Sequence, residues 1–239
     1  MNDNLKPGIC SFCNETMSKR KMMNHINSCK AKLSYDSSSI EQNNYSYFTI
    51  LIEGRYNPFY WIIAEVSSIS SLKVIDQFLR DIWLECCGHL SEFSKNRNKI
   101  SMNRRLYDVF SEITDFEYEY DFGSTTDLKL KVLSKTDLNK KFNIRILAMN
   151  LKPEIKCSVC QEKPAIGQCD ICFEEILCED CIKSHPCFEK EKETLISDIV
   201  NSPRSNVCGY MGPNKNLIKR FFPKDLPNIF KKIKLTEQA

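Results

Sequence analysis

Runs of apolar residues in the middle of the chain predict a β-sheet. Residues 45–53 read YSYFTILIE and residues 59–66 read FYWIIAEV, with the turn-forming stretch 54–58 between them. Short runs that are rich in aromatic and β-branched residues and bounded by turn residues are typical of strands. We therefore predict that the two runs form a β-hairpin. Further strands are expected over 91–94, 128–133 and 142–150.

A helical period follows the hairpin. We expect this helix to begin with Ser70 or Ser71 as its N-cap and to end at Gly88, with a second helix over 103–112. The apolar positions of the first helix, at intervals of three and four, are Leu72, Ile75, Leu79, Ile82, Trp83 and Cys86. Strands and helices together predict an α+β fold with an antiparallel or mixed sheet and packed helices.

The stretch 115–122, DFEYEYDF, alternates acidic and aromatic residues. In a strand, this alternation places the acids on one face and the rings on the other. Those acids, Asp115, Glu117, Glu119 and Asp121, could form a surface for a cation or a basic partner. A solvated outer face of a half-buried strand is the simpler interpretation, and we favour it.

Residues 45–150 resemble the plasmid pRiA4b ORF-3-like family. The resemblance rests on the paired first strands, the predicted helix, the His-Leu-x-x-Phe stretch at 89–93 and the Tyr-Asp-Phe-Gly stretch at 120–123. It implies an α+β sheet with helices on one side, in a family of bacteria, archaea and mobile elements without a settled activity. Many members continue with a Trp and a His, for which this chain has Thr126 and Leu128, so a role that depends on them is not carried over.

Seven of the 13 cysteines lie in the 31 residues 157–187. They form three Cys-x-x-Cys pairs, followed by His185 and Cys187. Two such pairs can complete a tetrahedron around zinc, so eight candidate ligands make two sites. An interleaved arrangement would place Cys157, Cys160, Cys178 and Cys181 on one ion. The second ion would then be held by Cys169, Cys172, His185 and Cys187.

This spacing resembles the B-box and related cross-brace zinc modules, whose topology is that alternation. The chain departs from many B-boxes by having Cys187 where they have a second His. A disulfide cluster is the alternative, but the repeated Cys-x-x-Cys spacing, the histidines and the absence of a recognisable signal peptide favour metal. With four protein ligands per ion, the zinc would be structural, and chelation should unfold the segment.

The first 33 residues resemble a short zinc finger. The candidate ligands are Cys10, Cys13, His25 and Cys29, with a predicted helix over 18–29 that presents the last two on one face. A segment of 33 residues cannot bury enough apolar surface to fold alone. The metal would therefore stabilise its fold. We therefore expect the chain to bind up to three zinc ions.

Two further groups are not assigned to metal. The stretch Cys86-Cys87-x-His89 is interpreted as a buried helix end, since no fourth ligand stands near it in sequence. Cys208 is left over and is expected to be a buried small residue or a spare thiol.

These features divide the chain into five predicted parts. They are a zinc finger at 1–33, a linker at 34–44, the α+β domain at 45–150, a two-zinc module at 151–190 and a basic tail at 191–239. The tail, in which basic and aromatic residues mix, is expected to pack on the body, and a short helix is predicted over 189–200.

Charge is distributed unevenly along the chain. The net charge is +3, yet residues 1–33 carry +4 and residues 201–239 carry +6, so the middle is acidic. Basic ends on an acidic body are compatible with an anionic partner such as nucleic acid, but solubility, or docking of the tail on the body, is the explanation that we favour. A hydrophobic content of 42% indicates a folded protein, and no apolar run is long enough to span a bilayer. We expect a cytoplasmic protein with no membrane partner.

Three functions remain open. The first is a non-enzymatic zinc-binding module that binds another protein. The second is a nucleic-acid-binding accessory protein of mobile-element ancestry. The third is a metal-dependent hydrolase or nuclease that uses the acidic strand, for which no catalytic constellation is recognised. We rank them in that order.

Overall fold

The computed structural model of the protein describes residues 7–38, 43–173, 175–187 and 196–223. In these parts of the chain the predicted α+β class is confirmed, with a sheet of nine strands in the order β2-β1-β9-β4-β3-β8-β7-β5-β6, each antiparallel to its neighbours. The strands are β1 (Pro7–Cys10), β2 (Thr16–Ser18), β3 (Tyr45–Gly54), β4 (Trp61–Ser67), β5 (Ser91–Lys95), β6 (Asn98–Ile100), β7 (Asp115–Tyr120), β8 (Thr126–Leu138) and β9 (Ile144–Asn150).

The predicted hairpin is the centre of this sheet. Phe48 pairs with Val66 and Ile52 with Ile62, and the turn closes where the N–H of Gly54 donates to the carbonyl of Tyr60. A Cβ on Gly54 would lie 2.5 Å from the carbonyl oxygen of Asn57, so the turn requires glycine. β4 is buried at all seven positions and β3 at seven of ten, because both faces of the sheet are covered.

The helices are α1 (Lys19–Ser28), α2 (Lys30–Ser37), α3 (Leu72–Leu79), α4 (Leu106–Glu112), α5 (Glu179–Lys183) and α6 (Lys215–Ile218). The predicted helix after the hairpin is α3, which continues as a π-helical turn over Arg80–Leu84 and ends before Cys86. Leu72, Ile75 and Phe78 of α3 pack with Ile62 in one core. Met22 and Ile26 of α1 pack with Ile63 in a second core.

Because neighbouring strand residues point to opposite faces, the two cores lie on the two sides of the sheet. The family resemblance implies helices on one side only. In this chain the N-terminal segment supplies the additional cover, since α1 shields the second face.

The N-terminal segment is joined to the sheet. Ile9 of β1 pairs with Met149 of β9, and the N–H of Leu151 donates to the carbonyl of Pro7. A Cβ on Gly8 would lie 2.2 Å from the Trp61 ring, which shows how closely β1 lies against the body. The predicted linker at 34–44 is wrong at its start, because residues 34–37 continue α2 and Asp36 binds Arg145 of β9.

The Cys-rich segment forms a second sheet, in the order β11-β10-β12. Its strands are β10 (Gly167–Cys169), β11 (Ile176–Leu177) and β12 (Ile196–Asp198). The predicted helix over 189–200 is wrong for residues 196–198, because Ser197 pairs with Gln168 on the open edge of β10. Residues 189–195 of that prediction lie outside the described part of the chain.

The described part of the tail packs on the body. Ile218, Phe221 and Phe222 are buried in the core formed by α3 and the sheet, and the Phe221 ring lies edge-on to that of Phe78 at 4.9 Å. The rest of the predicted tail, 191–195 and 224–239, lies outside the described residues. Within the described parts of the chain, no helix combines the length and apolar character that crossing a bilayer requires.

Candidate metal centres

The N-terminal cluster lies at the edge of the sheet. Cys10 ends β1, Cys13 follows in the turn, His25 lies in α1 and Cys29 directly follows α1. The sulfurs of Cys10 and Cys29 are 3.8 Å apart, and the Cys13 sulfur is 3.3 Å from His25 Nε2. The structure therefore brings together the four residues predicted from spacing.

The Cys-rich segment holds two clusters in the interleaved grouping. One consists of Cys157, Cys160, Cys178 and Cys181, and the other of Cys169, Cys172, His185 and Cys187. The Cys160 and Cys178 sulfurs are 3.8 Å apart, and the Cys172 sulfur is 3.6 Å from His185 Nε2. The first and third pairs thus meet across the second, as in a cross-brace.

A repeated turn presents three of the cysteine pairs. The residue after the second cysteine is left-handed in each, with φ of 59° at Asn14, 57° at Gln161 and 57° at Phe173. Its N–H donates to the carbonyl of the first cysteine at 3.0–3.1 Å. This turn points both sulfurs to one side. The pair Cys178/Cys181 differs, because it is carried by the first turn of α5.

Backbone N–H groups stabilise thiolates in these turns. Burial raises the pKa of the Cys157 thiol, but donation from the N–H groups of Cys160, Cys178 and Val159 outweighs burial and lowers the pKa to about 6. At Cys10, burial dominates and raises the pKa to about 12. Metal binding at the N-terminal cluster therefore has to displace a proton from a buried thiol.

The distances fit a tetrahedral ion better than a disulfide. Sulfurs about 2.3 Å from a tetrahedral zinc lie about 3.8 Å from each other, and a histidine nitrogen lies about 3.5 Å from each sulfur. The observed S–S distances of 3.7–3.8 Å match the first value and are far from the roughly 2.05 Å of a disulfide. None of the 13 cysteines, all of which are described, is in a disulfide.

A fourth cluster brings together the residues that the sequence left unassigned. Cys86, Cys87 and His89, just after the π-helical turn, meet Cys208 from the loop 199–212. The Cys87 sulfur is 3.7 Å from the Cys208 sulfur, and His89 Nε2 is 3.0 Å from the Cys87 sulfur. The interpretation of 86–89 as a buried helix end without a fourth ligand is therefore wrong, and Cys208 is exposed rather than buried.

Spacing missed this cluster because Cys208 is 119 residues from His89 in sequence. The number of cysteines and histidines in the chain nevertheless indicates a fourth site. The four clusters use all 13 cysteines and all three histidines, four residues in each. Once twelve ligands had been assigned to three ions, the four that remained were a complete tetrahedral set.

Two of the histidines are oriented by carboxylates. His185 turns Nε2 to the cysteines and Nδ1 to Glu175, with 2.9 Å between Nδ1 and the carboxylate. His89 does the same with Asp121, at 3.4 Å. Such a carboxylate fixes the ring and its tautomer for metal binding.

The acidic strand divides into two parts. In β7 the alternation is as predicted, with Phe116, Tyr118 and Tyr120 buried, and with Asp115 paired to Lys95 and Glu117 to Arg55. The outer acids thus form ion pairs on a solvated face.

The alternation reverses after Tyr120. Asp121 adopts a left-handed φ of 64° and is buried, while Phe122 is exposed. The Asp121 carboxylate accepts a hydrogen bond from the guanidinium of Arg204 at 2.6 Å. This bond lowers the pKa of Asp121 to about 2.

Comparison with known proteins adds little. The sequence matches no known protein family, and no curated protein is similar to it. A solved structure, that of a protein of unknown function from Methanosarcina mazei Go1, is similar to this chain with a TM-score of 0.36 and 16% sequence identity. The match covers 44% of this chain and 67% of that one.

Proposed function

We propose that this protein is a non-enzymatic zinc-binding protein whose structural zinc sites hold modules that bind another protein. The observation that supports this proposal is the closed ligand set. Each of the three clusters predicted from sequence supplies four protein ligands, which leaves no coordination position for water or substrate. An ion held in this way stabilises a fold and does not activate a substrate.

Apolar tips of the zinc turns support the role in protein binding. Val159, inside the turn from Cys157 to Cys160, is 54% exposed. Phe173, which follows the turn from Cys169 to Cys172, is 65% exposed. Ile171 in the second turn is also exposed. Large apolar side chains on rigid turns are typical of contact sites, since they lose little conformational freedom on binding.

We also propose that residues 45–150 belong to the plasmid pRiA4b ORF-3-like family. The resemblance rests partly on the His-Leu-x-x-Phe stretch at 89–93 and the Tyr-Asp-Phe-Gly stretch at 120–123. These two stretches lie against each other in the fold. The His89 and Tyr120 rings are 5.7 Å apart, and the N–H of Asp121 donates to the carbonyl of Leu90 at 2.9 Å. This contact supports a shared structural role for the two stretches.

The test combines metal analysis with partner capture. Purified full-length protein should contain zinc, and the double variant Ile171→Ser/Phe173→Ser should keep the same zinc content because neither residue is a ligand. Quantitative mass spectrometry after crosslinking should show specific partners for the wild type, with a loss of about tenfold or more in the variant. Tyr56→Ser, which changes a 79% exposed ring on the β3–β4 turn, is the matched control.

Two outcomes contradict this proposal. Partners that are recovered equally with wild type and double variant would exclude the second zinc turn as the contact site. Oligonucleotide binding that weakens steeply with salt would instead favour the nucleic-acid-binding alternative.

A further inference from the structure

The fourth cluster is the place where the end of the chain meets the sheet. Cys86, Cys87 and His89 follow α3, which packs on the sheet, whereas Cys208 belongs to the loop 199–212 that follows β12. Their ligand atoms all lie within 4.8 Å of one another. The two segments are far apart in sequence, with His89 and Cys208 separated by 119 positions.

We propose that this cluster binds a zinc ion and that the ion is an exchangeable clasp that fastens the loop 199–212 to the body. This site is distinct from the three sites of the proposed function. It has one ligand set drawn from two distant segments, so the ion itself makes the connection.

The ligand geometry supports a tetrahedral ion. The S–S distances are 3.7 Å for Cys86–Cys87 and 3.7 Å for Cys87–Cys208. His89 Nε2 lies 3.0 Å and 3.4 Å from the sulfurs of Cys87 and Cys208. Three thiolates and one imidazole at these separations are the Cys₃His set of structural zinc sites.

The surroundings of the cluster resemble those of a metal site. His89 presents Nδ1 to Asp121 at 3.4 Å, the same arrangement as His185 with Glu175 in the cross-brace. Arg204, whose side chain is fully buried, donates to both Asp121 and the Cys86 sulfur. Three thiolates on Zn²⁺ carry one excess negative charge, and this guanidinium offsets part of it.

The loop has contacts that do not need the ion. Ser202 donates to the carbonyl of Trp83 at 2.6 Å, and the Asn150 side chain donates to that of Asn201 at 2.7 Å. These contacts lie in the first half of the loop, and in the second half the side chain of Tyr210 is also buried, with 2% of its surface exposed. In the second half, Cys208 has a left-handed φ of 52°, which a residue with a Cβ adopts only where other interactions hold it. Loss of the ion should therefore release residues 206–209. Residues 199–205 and the buried Tyr210 should stay in place, because their contacts do not involve the ion.

Exposure makes this ion the most accessible of the four. Each of the other clusters has two buried ligands, whereas here Cys87 and Cys208 are exposed and the other two are partly exposed. A chelator reaches exposed ligands without unfolding the protein, so this zinc should leave first.

Metal content of the full chain tests the site. Wild-type protein should contain four zinc ions, and both Cys208→Ser and His89→Ala should contain three. The double variant should also contain three, because both residues hold the same ion. Met211→Ser, at a 51% exposed position in the same loop, is the matched control and should contain four.

The stoichiometry separates this proposal from the previous one. A wild type with three zinc ions, or single variants that keep the wild-type content, would overturn the fourth site while the three predicted sites stand. If a variant fails to fold, its loss of all zinc is visible in the same measurement, and the wild-type content still decides the question.

Hydrogen exchange during stepwise chelation tests the clasp. Release of the first zinc equivalent should raise amide exchange at 206–209 by about tenfold or more, with no change at 157–187. First release accompanied by faster exchange in 157–187 or in 8–29 would show that another ion is the labile one, and the clasp would be rejected.

Discussion

Four charged side chains form a buried network between α2 and the sheet. Arg145 of β9 binds both carboxylate oxygens of Asp36, at 2.7 Å and 3.0 Å, and also binds Glu65 of β4 at 2.5 Å. Lys32 completes the network by binding Asp36 at 3.0 Å and Glu65 at 3.1 Å. Two cations thus face two anions, so removal of one partner leaves an unbalanced charge out of water.

We predict that Asp36→Asn destabilises the protein by about 3 kcal/mol at neutral pH. Burial alone would raise the pKa of Asp36, but hydrogen bonds from Arg145 and Lys32 outweigh burial and lower the pKa. A carboxyl with a lowered pKa stabilises the fold above its unfolded pKa of about 4, and that contribution is lost as pH falls through the folded pKa. Urea unfolding should therefore show a difference between wild type and variant that shrinks in the acid range.

Glu112→Gln is the control for this prediction. Glu112 binds Arg104 at 2.6 Å, but both side chains are exposed to solvent. Exposed ion pairs contribute little, so the urea midpoint should not change measurably. An equal loss in both variants, or a loss in Asp36→Asn that does not vary with pH, would contradict the role of the buried network.

The Cys-rich segment has a core that consists mainly of its ligands. The buried apolar residues in it are Cys157, Cys169, Leu177 and Cys178, with further cysteines packed around them. Without metal, the four thiolates of one cluster and the three of the other would repel one another, and little other apolar surface would remain buried. We therefore expect the stability of β10, β11 and α5 to depend on bound metal.

We predict that a strong chelator unfolds 157–187 and leaves β3 and β4 intact. Amides of the Cys-rich segment should exchange within the shortest labelling time. Those of 47–53 and 61–67 should keep their protection, because they lie in paired strands and because the core on the α3 side of the sheet has no candidate ligand among its buried residues. Hydrogen exchange with mass spectrometry measures both regions in one sample, and re-addition of zinc is the control. Persistent protection at 157–187 after all metal has been removed would contradict this prediction.

At the scale of the whole molecule, the chain end completes the main core. Phe221 is 5% exposed and packs against Phe78 of α3. It shares one core with Ile9, so residues from both ends of the described chain belong to the same cluster. The neighbouring charges are also satisfied within the molecule, since Arg220 binds Asp81 and Arg204 binds Asp121. Part of the basic excess of residues 201–239 is thus balanced by the acidic body, which favours docking over an exposed nucleic-acid surface.

We predict that Phe221→Ala destabilises the whole domain by about 3 kcal/mol, because it leaves a cavity beside α3. Leu217→Ala, at a 40% exposed position in the neighbouring α6, should change stability by less than about 0.5 kcal/mol. Urea unfolding followed by tryptophan fluorescence measures both, since Trp61 and Trp83 are buried in the two cores. Equal stability of Phe221→Ala and wild type would mean that the tail is not part of the folding unit.

Local sequence patterns were enough to predict the class of fold and most of the candidate metal ligands. The alternating and apolar runs predicted the hairpin, α3 and the α+β class, because burial of one face requires a period of about 2 in a strand and 3.6 in a helix. The Cys-x-x-Cys spacing predicted twelve clustered residues, because a short turn can point two sulfurs at one ion. In both cases the constraint acts within a few residues, so it is visible in the sequence.

Tertiary structure alone decided how distant segments meet. The pairing of β1 with β9, the burial of Asp36 against Arg145 and the meeting of Cys208 with Cys86, Cys87 and His89 join residues about 110–140 positions apart. Such contacts depend on the path of the intervening chain, which packing of both sheet faces sets, and no local spacing records that path. The sequence therefore specified the ligands of three candidate zinc sites, and the fold assembled the fourth.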